Sequence, residues 1–184
     1  LQVDYIILTH AHNDHFGDTI EIAKNNDATV IAMVELADFL EKQGLKTHGM
    51  NIGGSYKFDF GKIKFTHAQH SSSLNWEGKN IPLGLAAGLL LEIDNVKVYH
   101  AGDTALFSDM SLFAPVDLAL LPIGDNFTMG IKDAIQAAKL VEAKTAIPIH
   151  YNTFPIIKQN PERFVSGLKD TKGIIPEIGE VLKI

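Results

Sequence analysis

Tyr5-Ile6-Ile7-Leu8-Thr9-His10-Ala11-His12-Asn13-Asp14-His15 is the stretch on which the reading of this chain turns. Its apolar start, Tyr5 to Leu8, has the length and β-branching of a buried strand. Phe16-Gly17-Asp18 follows, and a helical pattern begins near Thr19. Four side chains able to bind metal, His10, His12, Asp14 and His15, therefore sit in one strand-to-helix turn. Alternate positions of an extended chain project to one side, so His10, His12 and Asp14 can point together. As the chain bends into the helix, His15 swings toward a second centre. Imidazole suits zinc, iron or manganese, and a carboxylate points to a catalytic site rather than a sealed one. Three histidines in seven residues can also make an ordinary polar turn. Such a density of ligand types directly after a buried strand favours metal.

The pattern His10-x-His12-x-Asp14-His15 resembles the signature of the metallo-β-lactamase fold, a superfamily of metal-dependent hydrolases. The resemblance implies an α/β fold, the αββα four-layer sandwich, with helices outside two packed sheets. It also implies a further histidine, a bridging acid and a last histidine, in that order and at strand ends. Several strands precede the motif in that family, and they are missing from this chain. The fold is therefore expected to be N-terminally incomplete, with an open sheet edge and poor solubility as the consequence.

The chain of 184 residues is long enough to bury a sizeable core, and residues 1–184 read as one domain without repeats or linkers. A net charge of −6 and a pI near 5.7 argue against extended nucleic acid binding, which calls for a basic face. No segment approaches a membrane span. Cysteine is absent, so any metal site is built from nitrogen and oxygen, and the cytoplasm is the expected compartment.

Beyond the motif, Thr29 to Ala32 reads as a compact strand and Val34 to Gln43 as an amphipathic helix stopped by Gly44. Gly49 to Ser55 reads as a Gly-rich loop. Tyr56 to His67 alternates as a hairpin turning at Gly61-Lys62, and Gln69 to Pro82 reads as polar loop. Leu83 to Ile93 and Val96 to Ala101 form a second hairpin around Asp94-Asn95. Leu118 to Pro122 and Thr145 to Ile149 read as buried strands flanking a helix, Ile131 to Val141. One more helix from Pro161 and a strand near Gly173 to Ile178 complete the chain.

The resemblance assigns the remaining ligands. His70, where a strand gives way to a polar loop, is expected as the third-motif histidine ahead of His67, whose alternation with Phe65 suggests a plain strand residue. Asp103, in Gly102-Asp103-Thr104 after an apolar strand, matches the bridging carboxylate, although turn aspartates are common. His100 reads as structural. His150, ending the strand Ile147-Pro148-Ile149, falls where the family has its last ligand.

Gly124-Asp125-Asn126-Phe127-Thr128-Met129-Gly130, His150-Tyr151-Asn152-Thr153-Phe154-Pro155 and His48-Gly49-Met50 further resemble a bacterial and archaeal group of metal-dependent hydrolases. That group is similar to the branch holding the ascorbate-phosphate lactonase and the phospholipase D of N-acylated lipids. The likeness implies that Asp125 and Asn126 are substrate contacts, with a tight structural turn an equal alternative. His48 reads as part of the Gly-rich loop and is expected to reach the cleft, with a position in solvent the alternative.

The chemistry so implied is hydrolytic. His10, His12 and His70 hold one divalent ion, Asp14, His15 and His150 a second, and Asp103 bridges them. Two ions, zinc before manganese or iron, bring a shared water near neutrality for attack on a carbonyl or phosphorus centre. Asp14 and Asp103 are the expected catalytic carboxylates. Substrates are small molecules carrying an ester, lactone or related bond. A phosphodiesterase is the second reading, and a non-catalytic metal-binding or partner-binding protein the third. Relatives often self-associate, so a homo-oligomer is expected too.

Overall fold

A computed structural model describes residues 2–183. The first part is a parallel three-stranded sheet in the order β1-β2-β3, built from β1 (Tyr5–Ile7), β2 (Thr29–Met33) and β3 (Lys46–Met50). Between these strands run α1 (Asn13–Phe16), α2 (Thr19–Asn26) and α3 (Val34–Lys42).

A mixed seven-stranded sheet follows. It contains β4 (Ser55–Phe58), β5 (Gly61–His67), β8 (Ala87–Ile93), β9 (Val96–His100), β10 (Val116–Pro122), β11 (Ala143–Ile149) and β12 (Lys172–Gly173). A small separate hairpin, β6 (Ser73–Trp76) with β7 (Lys79–Pro82), interrupts the run. The helices α4 (Ile131–Leu140) and α5 (Pro161–Gly167) lie late in the chain. The order β12-β11-β10-β9-β8-β5-β4 is parallel from β12 to β9 and antiparallel beyond.

Side-chain alternation assigns the layers. On β2, Val30 and Ala32 pack with Leu36, Ala37 and Leu40 of α3, while Ile31 and Met33 turn to Ile63, Phe65, Ala87 and Leu89 of β5 and β8. The two sheets thus face each other across one apolar layer, with α2 and α3 covering the outside of the first. On the far side of the second sheet, Tyr99, Ala119, Leu121 and Ala146 meet Ala134, Ala137 and Ala138 of α4 and Phe164 of α5. Helix, sheet, sheet, helix is the expected αββα arrangement, and each large side chain closed into these layers contributes roughly 1.5–3 kcal/mol.

The departures have local causes. Strand β3 runs on to Met50, so His48 stands in a strand, paired opposite Ile31, and not in a loop. The first hairpin turns at Asp59-Phe60, with Phe58 opposite Gly61. Gly61 opens β5 instead, because a Cβ there would stand 2.5 Å from the backbone oxygen of Glu92. The polar segment after Gln69 holds the β6–β7 hairpin, whose Leu74, Trp76 and Ile81 join the core under α3. Its turn, Glu77-Gly78, has positive φ at both residues, as a two-residue hairpin loop requires. The last strand is only Lys172–Gly173, since Pro176 soon removes a donor from any further pairing.

Candidate metal centre

Strand β1 ends at Ile7, and the next residues cross from the first sheet toward the second. The amide of Leu8 donates to Ile31, while Thr9 accepts from the amide of Ala87 at 2.9 Å, tying β1 to the start of β8. His10 is buried at 1% exposure, and the chain stays extended to His12 before α1 begins. The helical turn then carries Asp14 away from the His10 side, and it joins His15 and His150 instead. Simple alternation along an extended chain would have left it with His10 and His12. The four-residue α1 is held by the buried Phe16, and the Asn13 side chain exchanges bonds with the backbone of Asn75 on β6.

The other donors arrive at the ends of second-sheet strands, as in layered α/β proteins generally. His70 follows β5, Asp103 follows β9 and His150 follows β11. Gly102 makes the Asp103 position: its φ is +62°, and a Cβ would lie 2.7 Å from the Ala87 oxygen and 3.2 Å from Thr9. His100 shapes the same turn, its Nδ1 accepting from the Gly102 amide at 3.0 Å. Burial, and then the neighbouring His15, push His100 down to about 4, which keeps it an acceptor. His67 is exposed, its ring edge-on to Phe107, and lies outside the cluster.

Two triples of donors result. His10 Nε2 is 3.0 Å from His12 Nδ1, and His70 Nε2 is 3.3 Å from the same atom. Asp14, His15 and His150 form the second, with Asp14 Oδ2 3.5 Å from both His15 Nε2 and His150 Nε2. Donor atoms within each triple lie within 4.8 Å of one another, and His10, His15 and Asp103 form a third such group. Asp103 Oδ2 stands between the two, 3.3 Å from His15, 3.6 Å from His70 and 3.2 Å from His150. On the far side of each imidazole, Thr9 Oγ1 bonds His10 Nδ1 at 3.0 Å and Ser71 Oγ bonds His12 Nε2 at 3.3 Å, leaving the inner nitrogens directed at the centre.

The donor set fits divalent cations. His15 Nε2 and His150 Nε2 are buried without a hydrogen-bond partner among the described residues, an arrangement that costs free energy unless a cation takes the lone pair each can offer. Asp103, 4% exposed, has imidazoles around it and no lysine or arginine in ion-pair contact among the described residues. Burial pushes His10 down to about 2, and likewise lowers His12 and His70, so these three stay neutral and able to donate. Burial works against the charge of Asp103 too, but His15, His150 and His10 outweigh it and lower the carboxyl. For His15, burial opposes protonation, and the close approach and charge of Asp103, followed by Asp14, raise it nonetheless.

A cleft of about 710 Å³ opens over this floor, a volume suited to a small molecule. His12, Asp14, His70, Asp103 and His150 line it below, and Phe127, Phe154 and Ile156 above. The second group escapes sequence reasoning, because an apolar residue in a loop reads like any core residue; the one signal was that Phe154 and Ile156 closely follow His150. The expected substrate contacts stand elsewhere. Asp125 is turned back under Gly130, Asn126 is bonded through its amide to the Asp125 carboxylate, and it is Phe127 that reaches the cleft. His48 packs its ring against Tyr56 and Phe58, at centroid distances of 4.3 and 5.0 Å, and is not among the cleft residues. The aromatic pair fills the space beside β3 that a loop would have left open.

Comparison with known proteins assigns the family. The profile of the β-lactamase superfamily domain matches residues 1–151. A UPF0173 metal-dependent hydrolase of Bacillus cereus (strain AH187) is 56% identical over 189 aligned positions, covering 100% of this chain and 83% of that protein. Among solved structures, Igni18, a metallo hydrolase from the archaeon Ignicoccus hospitalis, superposes with a TM-score of 0.88 at 36% identity, covering 97% of this chain and 78% of the other. The metallo-β-lactamase fold protein YhfI of Bacillus subtilis shares the fold alone, with a TM-score of 0.75 at 14% identity over 98% of this chain and 78% of that one. The chain belongs to the metallo-β-lactamase superfamily, and within it to the metal-dependent hydrolases that the Bacillus relatives represent. No helix among the described residues is long and apolar enough to cross a membrane.

Proposed function

We propose that this hydrolase cleaves an ester, lactone or related bond of a small molecule at a centre of two divalent ions. Zinc is the expected ion, and the same nitrogen and oxygen donors accommodate manganese or iron. His10, His12 and His70 would hold one ion, Asp14, His15 and His150 the other, with Asp103 between them. The reading is carried by the two donor triples, each within 4.8 Å, and by the Asp103 oxygen 3.2–3.6 Å from His15, His150 and His70.

Two such cations, when bound, supply Lewis acidity, bringing water near neutral ionisation and stabilising charge that develops on a carbonyl oxygen. The chain's own groups do the rest. Asp103 keeps a buried negative charge fixed between the triples. Thr9 and Ser71 hold His10 and His12 in the rotamers and tautomers that face inward. Asp14 lines the cleft with its side chain 40% exposed, and so is the carboxylate that can take a proton from the attacking water and pass it to the leaving group.

The test is metal content by plasma mass spectrometry, set beside turnover of p-nitrophenyl esters, lactones and bis(p-nitrophenyl) phosphate. About two ions per chain are expected, with ester or lactone turnover. Asp103→Ala should lose metal and more than about a hundredfold of activity, since even outer partners of metal ligands cost 10- to 100-fold. Near-zero metal that added zinc, manganese or iron does not restore overturns the centre. Turnover of the phosphate diester alone overturns the ester reading in favour of a phosphodiesterase.

A further inference from the structure

Resting on the hydrolytic reading above, we infer that the rim of the cleft is a binding site for a neutral, apolar arm of the substrate, such as a medium-length acyl chain. Phe127, Phe154 and Ile156 are 54%, 43% and 59% exposed, and all three line the cleft above the donor cluster. Apolar side chains left in water at one place on a soluble protein mark a surface that something apolar covers.

The rim is also a built feature. Phe127 sits on a tight turn closed by the Asp125 amide donating to Met129 at 3.0 Å. Met129 is fully buried, and its amide donates to Thr104, directly after Asp103. Phe154 and Ile156 sit on a second loop of the same design. The Asn152 amide donates to Ile157, which is fully buried, and the Asn152 side chain accepts from the Gln159 amide at 2.8 Å. The Gln159 side chain then donates to the Gly124 carbonyl at 3.4 Å, joining the two loops. Each loop therefore buries one anchor and presents its neighbours to the cleft.

Charge points the same way. Among the described residues the cleft is lined by no lysine or arginine, and Lys158 lines an adjoining depression with Asn152, Thr153, Phe154 and Pro155. A substrate arm bearing an anion would meet Asp14 and no side-chain cation. A neutral chain meets two aromatic rings and an isoleucine. The reaction remains a balanced hydrolysis: one water adds across the acyl–oxygen bond, giving the acid and the alcohol.

The experiment compares kcat/KM of the metal-loaded enzyme on p-nitrophenyl acetate, butyrate, octanoate and a succinate half-ester of matched length. Wild type should prefer octanoate to acetate by about tenfold or more, the value of burying even two methylenes, and should disfavour the charged succinate. Phe127→Ala and Ile156→Ala should each cut the octanoate-to-acetate ratio several-fold, chiefly through KM. Phe127→Leu should restore most of it, and Leu112→Ala, an exposed leucine outside the cleft, should leave it alone. Turnover of acetate with no chain-length preference, or a ratio that survives both alanine variants, overturns this inference and leaves the proposed function standing. No turnover of these esters or of lactones by a metal-loaded enzyme overturns the proposed function itself, and this inference with it.

Discussion

The floor and the rim of one cleft are built by opposite rules. On the floor, polar donors crowd within 4.8 Å of one another around the buried His10 and Asp103, and are held by backbone geometry that only glycine allows, as at Gly102. On the rim, apolar side chains stand in solvent on loops that are secured by a single buried residue each, Met129 or Ile157. The floor spends stability to hold groups that would rather be hydrated, whereas the rim leaves exposed what would rather be buried. Both violate the usual partition of polar and apolar residues, and both do so at one place.

That contrast can be broken most forcefully at Gly102. Gly102→Ala must place a Cβ 2.7 Å from the Ala87 oxygen in a left-handed conformation, and should cost about 2–4 kcal/mol together with the metal. Thermal melting with and without added zinc checks this, and an unchanged melt would mean the turn relaxes freely.

A smaller effect should come from pH in the metal-free protein. His10, pushed down to about 2, together with His12, His70 and His100, binds fewer protons folded than unfolded. Stability should therefore fall as pH drops below about 6.5, the ordinary histidine value, toward the lowered ones. His15, which is raised, works in the other direction, adding stability at low pH and losing it as pH rises, but it is one group against four. A lower melting temperature at pH 5 than at pH 7.5 is expected, and equal values would remove the claim that the floor is strained toward neutrality.

The smallest effect belongs to the rim. Ile156→Ser, at a side chain 59% exposed, should change stability by no more than about 0.5 kcal/mol. A loss of several times that in a denaturant melt would show the residue to be part of the core.

The same contrast explains what could be read from sequence. Metal chemistry admits few residue types, so His10, His12, Asp14 and His15 announced themselves within one turn, and Asp103 and His150 stood where strongly apolar strands end. The layered α/β architecture was legible through the periodic runs around Val30, Leu120 and Ile147. Phe127 and Ile156 carried no comparable mark, since only the fold shows which loop side lies over the centre. The hairpin of Ser73–Trp76 and Lys79–Pro82 was hidden because only one face is apolar and its residues are otherwise polar. His48 misled for the opposite reason: glycines beside it suggested a loop, while backbone pairing with β2 and the rings of Tyr56 and Phe58 placed it in a strand.

His10 and His12 extend from the first sheet and His70 from the second, and Asp14 and His15 are likewise answered by His150 across the same divide. Neither sheet owns a complete triple. The chain must therefore bring residues 12 and 70 together before the first triple can exist, and residues 15 and 150, closing a loop of most of its length, before the second can. Cation uptake in refolding should therefore trail the packing of the two sheets against each other across Ile31, Met33, Phe65 and Leu89.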